Sequence, residues 1–208
     1  MGVSVHYRGS LTDKRQIQPL INELEDIAQS IQAKCRVFDE DWNEKPDAHL
    51  EHNSAGQATI VGNIGLKGVS LQLHERCETL FLCFDASGVL TSPIQVAFRA
   101  DSDYAVDPDH WLSVKTQFAG AKVHVALVEL LRYLKGKYIH DLEVDDEAGY
   151  WGNQDITAVE RDIDLINRGI DAIANRLETI PTQDTDDIVK QITIALRRMK
   201  EREDEQNE

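Results

Sequence analysis

The chain has no long hydrophobic run. No stretch of its 208 residues approaches the roughly 18 consecutive apolar residues that a membrane-spanning helix requires. Residues 1–8 also lack the basic and then apolar profile of a secretory signal. These absences predict a cytoplasmic protein that does not enter a membrane.

Cysteine is scarce as well. Cys35, Cys77 and Cys83 are an odd number at irregular spacing, which is not the pattern of a disulfide framework. His74 and Cys77 lack the second pair of ligands that a zinc site needs. The acidic segment 101–109 lacks the central glycine and the closing glutamate of a calcium loop. We therefore expect free thiols in a reducing compartment, and neither a metal nor a cofactor.

The common catalytic motifs are missing too. The sequence contains no glycine-rich phosphate loop, nucleophile elbow, His-Glu-x-x-His or Cys-x-x-Cys. These absences remove the motif-based support for nucleotide-binding, serine-hydrolase, metalloprotease and zinc-ribbon functions. An enzyme stays an open alternative, because active sites assembled from distant loops leave no local signature.

Positive charge is in short supply. The chain has 22 Lys and Arg against 37 Asp and Glu, and residues 141–208 alone hold 19 acidic and 8 basic side chains. Because phosphate groups are bound mainly by Lys and Arg, this balance predicts that neither nucleic acid nor an anionic membrane is a partner. Sequestration of a basic protein is one function that the acidic surface allows, and simple solubility explains the same charge.

An unbroken heptad pattern lies towards the carboxyl end. Apolar residues recur at alternating intervals of three and four residues, at Ile156, Val159, Ile163, Ile166, Ile170, Ile173, Leu177 and Ile180. This spacing predicts a helix whose narrow apolar seam binds a partner helix along its length. Thr157 and Glu160 have the spacing of a capping box at its start, and Pro181 ends it. A second helix is predicted from about Thr185, which would complete a helical hairpin.

Upstream of the seam, strand and helix periods alternate. Residues 3–7 alternate between apolar and polar as in a strand, and further short strands are predicted at 36–38, 60–64, 69–73, 80–84 and 89–90. Helices are predicted over 13–33 and 119–135, the second ending at Gly136. Because Pro19 is tolerated only in a first turn, the first helix either begins near Gln18 or is bent in its first turns. The polar stretch 39–57 is predicted to be a surface loop.

Four dispersed residues are candidate catalytic groups. His6 and Arg8 lie on the polar side of the first strand, His74 closes another strand, and Lys115 precedes the second long helix. If an open sheet face brought them together, Arg8 or Lys115 would bind an anion and a histidine would transfer protons. Basic residues are also ordinary on the solvent side of an antiparallel sheet.

Tyr150 and Trp151 are candidate ligand-binding residues. Their large rings stand in a glycine-flanked turn next to Asp145, Asp146 and Glu147, where they would stack on a ligand. The alternative is that they fill the junction between the globular domain and the hairpin, which is the commoner use of such side chains.

Together these patterns predict an α+β protein. A mostly antiparallel sheet of five or six strands would have helices covering one face, followed by the carboxyl-terminal hairpin, with domains at 1–153 and 154–208. We expect a non-enzymatic binding or regulatory module whose seam, Ile156 to Leu177, mediates homo-oligomerisation or docking on a protein partner. The alternatives are an enzyme or small-ligand binder with a polar site on the open sheet face, and an acidic protein that sequesters a basic partner.

Overall fold

A computed structural model describes residues 3–100 and 111–178. The described residues divide into two units, one before and one after residue 160 within α5. The prediction of a helical hairpin over 154–208 stays a prediction, because its second helix, from about Thr185, lies outside the described residues.

The described residues form nine strands: β1 (Ser4–Arg8), β2 (Lys34–Asp39), β3 (His49–His52), β4 (Ala58–Val61), β5 (Lys67–Gln72), β6 (Leu80–Phe84), β7 (Leu90–Thr91), β8 (Leu112–Lys115) and β9 (Glu143–Asp146). They also form five α-helices: α1 (Ile17–Ser30), α2 (Pro93–Ala100), α3 (Ala121–Lys137), α4 (Tyr150–Asn153) and α5 (Ile156–Glu178). None of these helices is long and apolar enough to cross a lipid bilayer.

All strand pairs are antiparallel, as predicted, but the strands are divided among three sheets. Their orders are β8-β1-β9, β2-β5-β6-β7 and β3-β4. The prediction of one sheet of five or six strands is therefore wrong. The reason is that β1 pairs with strands more than a hundred residues away, His6 lying opposite both Ser113 and Asp145.

One large core joins the two larger sheets to α1 and α3. The apolar face of α1 buries Leu20, Ile21, Leu24 and Ala28, and that of α3 buries Leu127, Val128, Leu131 and Leu134. This burial accounts for the helical spacing in the sequence, since a surface helix turns its apolar stripe to the core.

A second, smaller core covers the other face of the four-stranded sheet. It contains Phe38, Ala48, Ile64, Leu66, Cys83 and Val96. Consecutive residues of β5, from Gly68 to Leu71, are consequently all buried, whereas a sheet with one solvated face alternates. The open polar face predicted from the sequence therefore belongs to β8-β1-β9. Gly68 is required here, because a Cβ atom would lie 2.1 Å from the carbonyl oxygen of Leu82.

The first long helix begins close to the later of its two predicted starts, and the second ends later than predicted. Residues 14–16 form a 3₁₀ turn in which the side chain of Asp13 accepts a hydrogen bond from the backbone N–H of Arg15, and α1 begins at Ile17. Pro19 then lies in the first turn, where no backbone hydrogen bond is lost. Helix α3 continues past Gly136 to Lys137, because Gly136 does not adopt the left-handed conformation that ends helices.

The predicted loop 39–57 contains a strand. β3 forms a hairpin with β4, in which His49 lies opposite Val61 and His52 opposite Ala58. Three of the four β3 residues are exposed, so no alternation of apolar and polar residues marks the strand. β8 and α2, only four and eight residues long, are elements that the sequence patterns did not predict.

Candidate functional site

Three of the four candidate catalytic residues share the open face of the β8-β1-β9 sheet. Ser4 lies opposite Lys115 and His6 opposite Ser113, and partners across antiparallel strands point to the same side. His6, Arg8 and Lys115 therefore lie on one face. His74 does not join them; it follows β5, and its Nδ1 accepts a hydrogen bond of 3.1 Å from the backbone N–H of Arg76.

Each basic side chain on this face contacts a neighbour within the chain. Nη2 of Arg8 donates to Oε2 of Glu143 at 2.9 Å, and its guanidinium lies 4.7 Å from the centroid of the Trp111 ring. Nε2 of His6 is 3.8 Å from Oε1 of Glu147. The ammonium of Lys115 lies 5.4 Å from the centroid of the Phe118 ring. The face is thus a set of partly exposed pairs, which individually stabilise a fold only weakly.

Three clefts of about 580 to 730 Å³ in the described part of the chain are lined by none of the four candidates. One of them lies where β6, β8 and the start of α2 meet, and Tyr7, Cys77 and Trp111 are among its lining residues. Burial raises the pKa of the Cys77 thiol to about 11, so a thiolate nucleophile does not form there at neutral pH. No group of three His, Cys, Asp or Glu side chains suited to a metal ion occurs among residues 3–100 and 111–178.

A buried polar chain, which the sequence did not reveal, links α3 to β9. Oγ1 of Thr116 lies 2.8 Å from Nδ1 of His124, and Nε2 of His124 lies 2.9 Å from Oδ1 of Asp146. Thr116 and His124 are fully buried. The only signal in the sequence is that His124 precedes Leu127 and Val128 on the apolar face of α3, and a single histidine at such a position predicts no role.

Thr116, His124 and Asp146 present a hydroxyl, an imidazole and a carboxylate in this order. The same order of groups activates the nucleophile in serine hydrolases. The burial of this polar chain argues for a structural role, because a substrate cannot reach a hydroxyl with no exposed surface. Burial acts to raise the pKa of Asp146, but His124 and the backbone N–H groups of Trp151 and Ala148 outweigh it and hold that pKa below its ordinary value. The carboxylate thereby fixes the turn that leads into α4.

Tyr150 and Trp151, the candidate ligand-binding residues, are held by Arg132 of α3. The guanidinium carbon lies 4.6 Å from the centroid of the Trp151 ring, and Nη2 donates to the carbonyl oxygens of both Tyr150 and Trp151. Both rings are half-buried and pack against the main core. These contacts are those of packing anchors, with one face of the Trp151 ring occupied by a cation.

The seam residues of α5 differ in exposure. Val159 and Ile163 are buried, Ile166 and Ile173 are half-buried, and Ile156 and Ile170 are 40% and 41% exposed. Leu165, next to the seam, is 57% exposed. The side chain of Leu177 lies outside the described residues.

The start of α5 is capped differently from prediction. Oδ1 of Asp155 accepts hydrogen bonds from the backbone N–H groups of Thr157, at 2.9 Å, and Ala158, at 3.2 Å. Asp155 is therefore the N-cap residue, and the predicted capping box of Thr157 and Glu160 is wrong. Asp caps a helix as well as Thr does, so spacing alone placed the cap two residues too late.

Comparisons of the chain with protein-family models, with curated proteins and with solved structures gave no match.

Proposed function

We propose that the protein is a non-enzymatic binding module that associates with a second copy of itself through α5. The observation that carries this proposal is the exposure of Ile170, at 41%, in the middle of a seam with heptad spacing. Large aliphatic side chains on a helix are ordinarily turned towards apolar surface, and burial of one contributes about 1.5 to 3 kcal/mol.

A second copy is the partner that fits this seam best. A heptad seam is complementary to another seam of the same period, which an identical chain always supplies. Because Val159 and Ile163 are already buried, the surface proposed for association begins near Ile166 and includes Ile170 and Ile173.

The cysteines support a reducing compartment such as the cytoplasm. All three are free, and Cys77 and Cys83 are buried. Burial raises the pKa of both thiols, so neither is readily oxidised or bound to a metal. We therefore propose a cytoplasmic protein in which these two thiols serve as small core residues.

Sedimentation of three full-length proteins tests the association. Ile170→Glu places a carboxylate in the seam, whereas Ala172→Glu places the same charge on an exposed position two residues away. We expect the wild type and Ala172→Glu to sediment as the same oligomer and Ile170→Glu to sediment as a smaller species with unchanged circular dichroism. A monomeric wild type, or an Ile170→Glu protein that unfolds because the seam packs only within its own chain, would contradict the proposal.

A further inference from the structure

The outer edge of β2 is unpaired. In the sheet order β2-β5-β6-β7, β2 is a terminal strand. The backbone N–H of Glu40 donates to the carbonyl of Leu66, so alternation along the ladder directs the backbone groups of Phe38 and Arg36 towards β5 as well. The N–H and C=O groups of Cys35, Val37 and Asp39 then point away from the sheet, and no partner for them occurs in the described chain.

This edge carries charged residues, which can protect a terminal strand, but it lacks the proline, bulge and short length that also do so. β2 is six residues long, contains neither proline nor glycine, and pairs with β5 in an unbroken register from Lys34 to Asp39. Five of its six residues are exposed, and Val37 is 39% exposed. An exposed, regular edge of this length is a template for a further strand.

The charges along β2 select the strand that pairs with it. The amino end is basic, with Lys34 and Arg36, and the carboxyl end is acidic, with Asp39 and Glu40. An antiparallel copy of the same segment centred on Val37 places Lys34 opposite Glu40 of the second copy, and opposite charges across strands are favourable. A parallel copy in register would place like charges side by side.

We propose that β2 pairs antiparallel with β2 of a second copy about a two-fold axis at Val37. Cys35, Val37 and Asp39 of the two chains would then exchange about six backbone hydrogen bonds, and the four-stranded sheet would continue into the second chain. This surface lies on a different element from α5, so the inference does not depend on the association proposed for that helix.

A spin-label distance tests the pairing in the full-length protein. Cys35 is exposed whereas Cys77 and Cys83 are buried, so a thiol-reactive nitroxide attaches at Cys35, and Cys35→Ser is the control for labelling elsewhere. In the proposed register the two Cys35 residues are offset by four positions, which places their Cα atoms about 14 Å apart. We expect a short, narrow distance between nitroxides in the wild type.

Two variants of Val37 distinguish specific strand pairing from non-specific association. Val37→Lys should abolish the short distance, because two ammonium groups would meet at the two-fold axis, and Val37→Thr should keep it. As a label-free check, the outward amides of Cys35, Val37 and Asp39 should exchange more slowly as protein concentration rises, except in Val37→Lys.

The same distance in the Ile170→Glu background distinguishes this inference from the association through α5. The short distance should persist there. Its absence from the wild type, its loss in Ile170→Glu, or its persistence in Val37→Lys would overturn the proposal, and none of these results decides whether α5 self-associates.

Discussion

Nε2 of His124 lies 2.9 Å from Oδ1 of Asp146, and the two side chains are 0% and 1% exposed. This contact joins α3 to β9, and the same carboxylate accepts hydrogen bonds from the backbone N–H groups of Ala148 and Trp151. A charged group withdrawn from water must be compensated by such partners. We infer that Asp146 is a principal polar support of the fold.

Replacing Asp146 by Asn should therefore destabilise the protein. We expect a loss of about 3 kcal/mol in the free energy of unfolding at pH 7, since Asn removes the charged acceptor of the hydrogen bonds from Ala148 and Trp151 and of the contact with His124. Urea unfolding followed by circular dichroism measures this loss. Asp145→Asn is the matched control, because Asp145 precedes it on β9 but is exposed, and should change stability by less than about 0.5 kcal/mol.

The difference between wild type and Asp146→Asn should depend on pH. The pKa of Asp146 in the folded protein is below its ordinary value, so its stabilising contribution is complete above an unfolded-state pKa of about 3.9 and is lost as pH falls through the lower folded-state value. The stability curves of the two proteins should converge in acid. A difference that stays constant down to pH 2 would show that ionisation of Asp146 is unimportant.

Glu23 provides a second pH-dependent link, between α1 and the end of α3. Its carboxylate accepts hydrogen bonds from Lys137, Tyr133 and Tyr138. Lys137 first, and then the two hydroxyls, lower its pKa to about 2. Glu23→Gln should cost about 1 kcal/mol at pH 7, a contribution that in the wild type fades between about pH 4.3 and pH 2.

Thermal unfolding from pH 7 to pH 2 checks this, with Glu25→Gln as the control. Glu25 lies on the same helix and is exposed. Hydrogen bonding to Glu23 also raises the pKa of Lys137, so the contribution of the pair should persist to above the ordinary lysine pKa of about 10.4 and be lost at higher pH. Equal effects of the two substitutions would contradict the assignment.

The hydroxyl of Tyr7 connects two sheets. It donates to the carbonyl oxygen of Phe81 at 2.7 Å and accepts from the N–H of Phe81 at 3.2 Å, so it takes the place of a neighbouring strand at the edge of β6. Tyr7→Phe should cost about 1 to 3 kcal/mol, because both backbone groups of Phe81 lose their partner. Chemical denaturation measures it, and a loss below 0.5 kcal/mol would mean that water replaces the hydroxyl.

Arg132→Lys should loosen α4. Lysine cannot lie flat on the Trp151 ring or donate through a planar fork to the carbonyls of residues 150 and 151. We expect a loss of about 1 kcal/mol and a red shift in tryptophan emission, neither of which should occur in the exposed control Arg76→Lys. Unchanged emission would contradict the role of Trp151 as a packing anchor and favour its candidacy as a ligand-binding residue.

Local periodicity predicted the elements that bury one face. Val3, Val5 and Tyr7 are buried, whereas Ser4, His6 and Arg8 are half-buried. The alternation of apolar and polar residues in β1 therefore follows the alternation of burial. The same holds for α1 and α3. The sequence of β3 shows no such alternation, because most of its side chains are exposed.

The division into sheets and the buried polar chain were not predictable in this way. Pairing of β1 with β8 and β9 depends on contacts between residues more than a hundred positions apart, which no window of sequence contains. Likewise Thr116, His124 and Asp146 are polar residues of ordinary types, and only the packing of α3 against the β8-β1-β9 sheet gives them a common environment. Of the candidate catalytic residues, the polar side of β1 predicted where His6 and Arg8 would lie, but not that acidic residues of β9 and the turn after it would meet them.

Native mass spectrometry of the gently purified full-length protein tests the central claim most directly, because it reports subunit number and bound molecules together. Self-association predicts species at integral multiples of the 23.5 kDa chain, without a small molecule or metal, and a shift to smaller multiples in Ile170→Glu. A wild type that remains a single chain at all concentrations, or that retains a small molecule, would contradict the account and favour a ligand-binding or enzymatic function instead.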